Sequence, residues 1–432
     1  MNFCADRNKN NRIFLLSSYL ASSLASSLAS SLVFAMGTST AHGQENTNGI
    51  GGDYLNWLSN SALTSGDGRF SIKSSGRLIY DYGLADFNDE NSEARLGQKI
   101  NNFEFRALEL GIRGKIFGNI NYRLVTKLLN NQVDIKLAYL SYSFGNFDIV
   151  VGQTRTYTAL DKSTPLTNTS FSVRGAFVNA IKARTRLGVG LSTHGHDWTI
   201  SGGYFIDSLV KSKSAVDQRD MITTRLTYSP SFKNGLGLHF GTSYFYRSNN
   251  GRPFDHKYND RPFSHQGDYK PLRSAQFNIL SEQFLGLEFV ATYKSLATQA
   301  EFAIVKNKLS NAEILTMQDP SYKGGYFELS YFATGGQRTI NAKRGRFNGI
   351  KVKNPVGAGG IGEIKIAARY DMLDLRHQTF GTKQVNYIGG IDWYLNVYMK
   401  FQLNYAHSII GNFANVKSDT VDTFNGRFQI FW

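Results

Sequence analysis

Ile364-Lys365-Ile366-Ala367-Ala368-Arg369-Tyr370-Asp371-Met372 alternates at every second residue: Ile364, Ile366, Ala368, Tyr370 and Met372 share one parity, Lys365, Arg369 and Asp371 the other. A period of two is the strand period, because successive side chains of a strand point to opposite faces. One face of this segment is apolar and the other is charged. The dyad recurs at Phe70, Ile72, Leu78, Tyr80 and Tyr82 against Ser71, Lys73, Ser75, Arg77 and Asp81. It recurs at Tyr122, Leu124 and Leu128 against Arg123 and Lys127, and at Val397, Met399, Phe401, Leu403 and Tyr405 against Lys400, Gln402 and Asn404. Runs at helical spacing are almost absent from Phe70 onward.

Such segments, about ten residues long and separated by Gly, Asn, Asp and Ser, fit an all-β fold: a transmembrane antiparallel β-barrel with lipid outside and water inside. A soluble sandwich would turn its apolar parity inward. The 42 glycines, 23 tyrosines and 31 phenylalanines among 432 residues suit many turns and aromatic girdles. Mean hydropathy of −0.30 excludes a helical membrane protein, and 41% hydrophobic residues exclude a disordered chain.

The alternating segments lie near 69–83, 103–116, 120–130, 133–143, 147–154, 183–193, 198–207, 220–229, 236–247, 282–293, 296–306, 322–334, 363–373, 385–394, 396–408 and 421–432. About sixteen strands is an even number, as a closed barrel with both termini on one side requires. Short turns at Phe117 to Asn119, Gly145-Asn146, His194 to Asp197 and Lys294-Ser295 alternate with longer connections. Gly335 to Gly362 falls on the short-turn side but is long and basic; it is either a genuine excursion or a hidden hairpin.

Ahead of the barrel, Met1 to Arg12 carries Arg7, Lys9 and Arg12 against Asp6, and a small, apolar run follows from Ile13 to Met36. That order is the order of a secretory signal, with small residues at Ala41 and Gly43 before a cut ahead of Gln44. Residues 1–43 are therefore expected to be a cleaved signal peptide, 44–68 a periplasmic segment and 69–432 the barrel. Cys4, the single cysteine, leaves with the signal, so the mature chain has no disulfide and no thiolate metal site. Losing three cations and one anion takes the formal charge from +15 to +13.

The residues resemble a known family, the phosphate-selective porins O and P of Gram-negative outer membranes. The N-terminal match is Gly76-Arg77-Leu78-Ile79-Tyr80-Asp81-Tyr82-Gly83, then Phe105-Arg106 with Gly111-Ile112-Arg113-Gly114-Lys115-Ile116-Phe117-Gly118, then Phe147-Asp148-Ile149-Val150-Val151-Gly152-Gln153. The C-terminal match is Gly325-Tyr326-Phe327 with Ser330 to Gly335, then Ala368-Arg369-Tyr370 with Leu373-Asp374-Leu375, and Trp393-Tyr394-Leu395-Asn396. The resemblance implies a sixteen-stranded barrel, usually a homotrimer, whose third external loop folds into the pore and whose basic residues guide anions such as phosphate, polyphosphate and chloride. Where the family commonly has a dense arginine run, only Arg106 remains, with Ala107 and Glu109 beside it. That departure weakens the case for tight phosphate selectivity. Trp432 ends an amphipathic last strand, with Ile430, Phe428 and Phe424 on its parity, and resembles the signal read by the outer-membrane assembly machinery.

Charge rings select ions in such a pore. Parity places Lys73, Arg77, Arg113, Lys115, Arg123, Lys127, Arg225, Lys365, Arg369, Lys400 and Arg427 in the lumen, with acidic Asp81, Glu109, Glu288, Glu301 and Asp371 offsetting part of the field. The connection after Gln153 is long for a hairpin. It is the candidate constriction: Arg155, Lys162, Arg174, Lys182, Arg184 and Arg186 occur there with one acid, Asp161. Oxyanions could be held there by guanidinium forks; the bland alternative is a surface loop touching lipopolysaccharide phosphates. Arg252 to Arg273 and Arg338 to Lys353 are further basic stretches that could funnel anions toward the pore mouth, but they read first as the solvated loops of a basic protein.

Catalytic patterns are poor. Gly357-Ala358-Gly359-Gly360-Ile361-Gly362 satisfies G-x-G-x-x-G but precedes a strand and opens no helix. His194-Gly195-His196-Asp197 lacks a completing metal ligand. No cofactor, metal or nucleic-acid partner is implied, and no enzyme, although a Ser and His on adjacent strands would escape such a reading. The expected function is an outer-membrane porin for small anions. Its alternatives are a general, weakly anion-selective porin and a surface adhesin or structural barrel.

Overall fold

The computed structural model describes residues 62–88, 99–129, 132–183, 185–207, 219–267, 269–315, 317–412 and 419–432. Sixteen antiparallel strands form a closed barrel. They are β1 (Ser71–Asn88), β2 (Lys99–Ile116), β3 (Ile120–Leu129), β4 (Gln132–Phe144), β5 (Phe147–Arg155), β6 (Thr185–His194), β7 (Trp198–Ile206) and β8 (Asp220–Tyr228), followed by β9 (Leu236–Ser248), β10 (Phe277–Tyr293), β11 (Leu296–Leu309), β12 (Ser321–Phe332), β13 (Glu363–Asp374), β14 (Thr382–Tyr394), β15 (Met399–Asn412) and β16 (Asp419–Phe431). Each pairs with its chain neighbour, and β16 closes on β1 from Arg77↔Phe431 to Asn88↔Thr420. The expected signal peptide and most of the 44–68 segment lie outside the described residues; Ala62–Thr64 adds a short strand against the start of β1.

Apolar side chains such as Leu285, Leu287, Phe302, Phe327 and Leu329 remain exposed on the outer wall. A band of this kind is stable against lipid, not water. Inward positions carry the polar parity, as on β13, where Lys365, Arg369 and Asp371 are buried and Ile366 and Tyr370 face out.

Several strands run further at the long-loop end than alternation indicates: 69–83 extends to Asn88, 103–116 starts at Lys99 and 282–293 starts at Phe277. Above the lipid band the outer face is wet, so the apolar parity fades while ladder pairing continues. The chain ends meet at the opposite end, where Gly76 and Trp432 exchange two backbone hydrogen bonds of 3.1 Å. A Cβ at Gly76 would lie 2.1 Å from the Trp432 ring, so only glycine admits that ring.

Three bulges reset the parity; one leaves Leu280 as the extra residue between Ile279 and Ser281 on the β10–β11 ladder. The β1–β2 register shifts between Ile79 and Tyr80, leaving Arg106 as the extra residue. The β3–β4 register shifts between Val125 and Thr126, leaving Lys136. The 333–362 connection is a genuine excursion at the short-turn end and hides no barrel hairpin. It holds only a two-residue ladder, Ile340–Asn341 against Arg346–Phe347, around a 3₁₀ turn at Ala342–Arg344. Gly357, Gly359 and Gly362 are the left-handed corners that return it to β13; a Cβ at Gly362 would lie 2.2 Å from the Tyr394 carbonyl oxygen.

The closing seam carries a buried ion pair: Arg427 Nε and Nη2 each donate to Asp81 at 2.6 Å. Asp81→Ala leaves Arg427 buried and unpaired, and is expected to destabilise the barrel by about 3–5 kcal/mol. Urea titration of the folded, fast-migrating species tests this; replacing both partners by apolar residues should cost less.

Candidate functional site

Three connecting segments enter the barrel and meet. The loop after β5 carries two short helices, α1 (Leu160–Ser163) and α2 (Ala176–Ile181). Its backbone is tied to the far wall by acids. Glu301 accepts from the N–H groups of Leu160 at 2.7 Å and Asp161 at 2.8 Å, and Asp371 accepts from Ala176 N at 3.0 Å. Unsatisfied N–H groups at a helix start favour a carboxylate, which explains why acids sit on this wall. Asn404 Oδ1 takes Ser172 N at 2.9 Å, and Asp161 itself holds Gly175 N at 2.9 Å and Arg174 Nη1 at 3.0 Å.

The loop 249–276 descends from the same end. Asn425 and Thr423 donate to its Phe263 and Pro262 carbonyls at 2.8 and 3.1 Å, and Phe263 sits edge-on to Phe171. From the opposite end the 333–362 excursion rises to meet the first loop. Arg338 donates to Glu328 at 3.0 Å and Ser170 at 3.2 Å, with its guanidinium 3.5 Å from the Phe347 ring. Arg346 donates to the Ser163 carbonyl at 3.4 Å, and Arg225 holds the Gly345 carbonyl at 2.6 Å.

These segments divide the lumen. On β12 to β16 the inward cations are covered and paired: Lys365 with Asp392 at 2.7 Å, Arg369 with Glu328 at 2.6 Å, and Lys400 fully buried beside the same Asp392. Arg225 likewise forks Glu288, at 2.8 and 2.6 Å. On β1 to β3 the inward cations stay open to solvent: Arg113 and Lys115 are exposed, Lys73, Arg123 and Lys127 partly so. None of these five has a carboxylate partner among the described residues. Solvent therefore reaches the lumen along that wall.

Arg155, at the end of β5, is the centre of the site. Its guanidinium lies within electrostatic reach of Arg346, Arg174, Arg77 and Arg123, four cations from four different elements. Two are compensated, Arg174 by Asp161 and Arg77 by Glu109 at 2.7 Å, the latter shared with Lys136 at 2.5 Å. Arg155, Arg123 and Arg346 are left without a carboxylate among the described residues. Burial first, then the neighbouring Arg344 and Arg123, pull the Arg346 guanidinium down to about 10. A group under such repulsion gains from any anion that arrives.

The other loop cations are placed elsewhere. Lys162 borders an apolar recess with Phe177 and Phe245. Lys182, in a left-handed conformation, donates to Asn259 of the second loop at 3.2 Å. Arg186 belongs to β6 and pairs with Asp207 at 2.8 Å, away from Arg155. Arg184 lies outside the described residues. Lys136 and Arg106 turn inward only because of the bulges. Their signal was a parity switch: Val133 and Ile135 face out at odd positions, Leu140, Tyr142 and Phe144 at even ones.

Ser229 Oγ lies 2.8 Å from His239 Nδ1, and His239 Nε2 lies 3.2 Å from Glu288. Ser229 is only 3% exposed and the Glu288 carboxylate is already forked by Arg225, so the Ser–His pair sits closed within the wall. His196 Nδ1 lies 2.6 Å from Asp197, and the described residues contain no group of three metal-ligating side chains.

Comparison with known proteins agrees with this geometry. The sequence pattern of phosphate-selective porin O and P matches residues 72–430. An uncharacterised protein of Caulobacter vibrioides is 28% identical over 363 residues, covering 82% of this chain and 71% of the relative. Among solved structures, OprB of Pseudomonas putida has a TM-score of 0.54 at 10% identity, covering 84% of this chain and 94% of that one. An anion-selective porin from Comamonas acidovorans has a TM-score of 0.52 at 11% identity, covering 84% and 100%. At such identities the likeness is one of fold.

Glu301→Ala combined with Asp371→Ala removes the acceptors for three loop N–H groups, each charge-assisted bond worth about 1.5–3 kcal/mol. The loop should detach from the far wall, with larger and noisier single-channel conductance in a planar bilayer. Unchanged conductance would mean that other contacts hold it.

Proposed function

Because the chain belongs to the phosphate-selective porin O and P family, we propose that this outer-membrane channel passes small anions passively, with phosphate or polyphosphate as preferred solutes and chloride also admitted. The observation that carries this reading is the convergence of Arg155, Arg123 and Arg346, without a carboxylate partner among the described residues, beside the solvent-exposed wall. A low-dielectric wall keeps their field inside the passage, which concentrates anions and repels cations. Guanidinium forks replace part of an oxyanion's hydration shell, and Arg77 and Arg174, each tied to one acid, offer weaker neighbouring stations. Several moderate sites in series let the solute move on where one strong site would trap it.

A second reading is a general porin with mild anion preference. Glu109 favours it by pairing with both Arg77 and Lys136, offsetting part of their charge where the family usually concentrates arginines. The crowding of the lumen by three segments supports a structural barrel or adhesin only if folded protein fails to conduct. A homotrimer, export by a signal peptide over residues 1–43 and insertion guided by the Trp432 strand complete the proposal. Its supports are the family, the charge-then-apolar order of the first segment and the aromatic terminus.

The zero-current potential under a chloride gradient, with phosphate titrated in, tests the proposal. Arg155→Gln with Arg346→Gln should bring the potential toward zero and abolish phosphate block, while folding is retained. Wild-type selectivity should fall as salt rises, because the screening length shortens from about 30 Å at 0.01 M to about 3 Å at 1 M. Weak preference without block in the wild type would favour the general porin.

A further inference from the structure

The outer wall changes character above the lipid band on β11 to β14. The alternation that turns Phe302 and Ile304 toward lipid puts Lys306 and Lys308 on the same outward row, nearer the long-loop end, and both are exposed. Across the ladder, Lys323 lies opposite Ile304 on one side and Asp374 on the other, and Asp374 lies opposite Lys383. Lys323, Asp374 and Lys383 thus form one outward row across three strands, directly over the apolar band. Arg376 forks Asp374 at 2.9 and 2.7 Å, which uses up the one carboxylate of the patch. Five cations against one acid leave a surplus of four positive charges. Lys383 lies within electrostatic reach of Asp374, but none of the four lysines forms an ion pair within 4 Å of a carboxylate among the described residues.

Inside the lumen such charges would serve the channel, but these point away from it. A lysine on a lipid-facing row keeps its charge only by extending its stem along the apolar wall to the interface. There it meets the head groups of the leaflet on the long-loop side. Adjacent strands are about 4.8 Å apart, so Lys323 and Lys383 stand roughly 10 Å apart across Asp374. A head group with two phosphates spans such a gap, with Lys306 and Lys308 flanking it on one side and Arg376, held on Asp374, between the two lysines.

We propose that the outward rim of β11 to β14 binds a phosphorylated lipid head group of the outer leaflet. The site is independent of the pore and of its solute. The test is to refold the full chain with bis-phosphorylated lipid A, or with dephosphorylated lipid A, and count retained lipid by native mass spectrometry after detergent exchange. The wild type should retain the phosphorylated form and lose the dephosphorylated one. Each lysine near an anionic surface is worth about fivefold, so Lys306→Gln, Lys323→Gln and Lys383→Gln together should weaken retention roughly a hundredfold. Equal retention of both lipids, or by the triple variant, overturns the proposal. So does displacement of the lipid by millimolar inorganic phosphate, which would mark the patch as a free-phosphate site. The triple variant should keep the wild-type zero-current potential, since all three side chains lie outside the lumen. If that potential shifts, Lys323→Gln alone decides, with an expected loss of about fivefold.

Discussion

Every backbone N–H and C=O of a segment within lipid must find a partner in the chain, because no water is there to take the place of one. A sheet meets this demand only by closing, and closure of β16 on β1 fixes everything else. Each strand then has one face in lipid and one in the lumen. The apolar parity is spent outward, so the interior inherits polar side chains whether or not they serve transport. A barrel of sixteen strands is too wide for those side chains to fill. The space must hold either water or chain, and here it holds both.

Chain enters where carboxylates can receive it. Glu301 and Asp371 belong to the same lumen as the cations, and by charge alone they oppose the passage of anions. Their oxygens are instead occupied by loop N–H groups at α1 and α2. The cations on the same side, Lys365, Arg369, Lys400 and Arg225, are each balanced and covered. Polar groups that would otherwise weaken an anion route have become the anchors of the segments that narrow it.

The strand count, the inward parity of Lys73, Arg77, Arg113, Arg123, Lys365 and Arg369, and the long connection after Gln153 were legible because each rests on a local period. What escaped depends on distance. Arg106 and Lys136 read as ordinary strand residues until a one-residue bulge turned them inward, and a bulge leaves only a parity switch as its trace. Arg338 and Arg346 read as solvated loop cations, since nothing local says that a connection at the short-turn end climbs into the lumen. Arg186 read as part of the constriction because β6 begins just before it, and Asp207, which neutralises it, lies on the next connection. Parity gives direction, and pairing depends on the partner strand.

The division of the lumen follows from the same arithmetic. The loop after β5 needs acids to hold its N–H groups, and those acids attract cations, so the occupied half tends toward neutrality. Glu109 and Asp161 are the carboxylates that the Arg155 neighbourhood contains, and both are already engaged. The unpaired positive charge of the lumen therefore gathers on the half that no segment covers. Arg155 lies at the seam, the last residue of a wall strand and the first of the loop, with Arg346 approaching from the opposite end of the barrel. The Arg155 cluster is thus built by the same two segments that close the other half, so the anchoring of the loops and the gathering of these cations are parts of one construction.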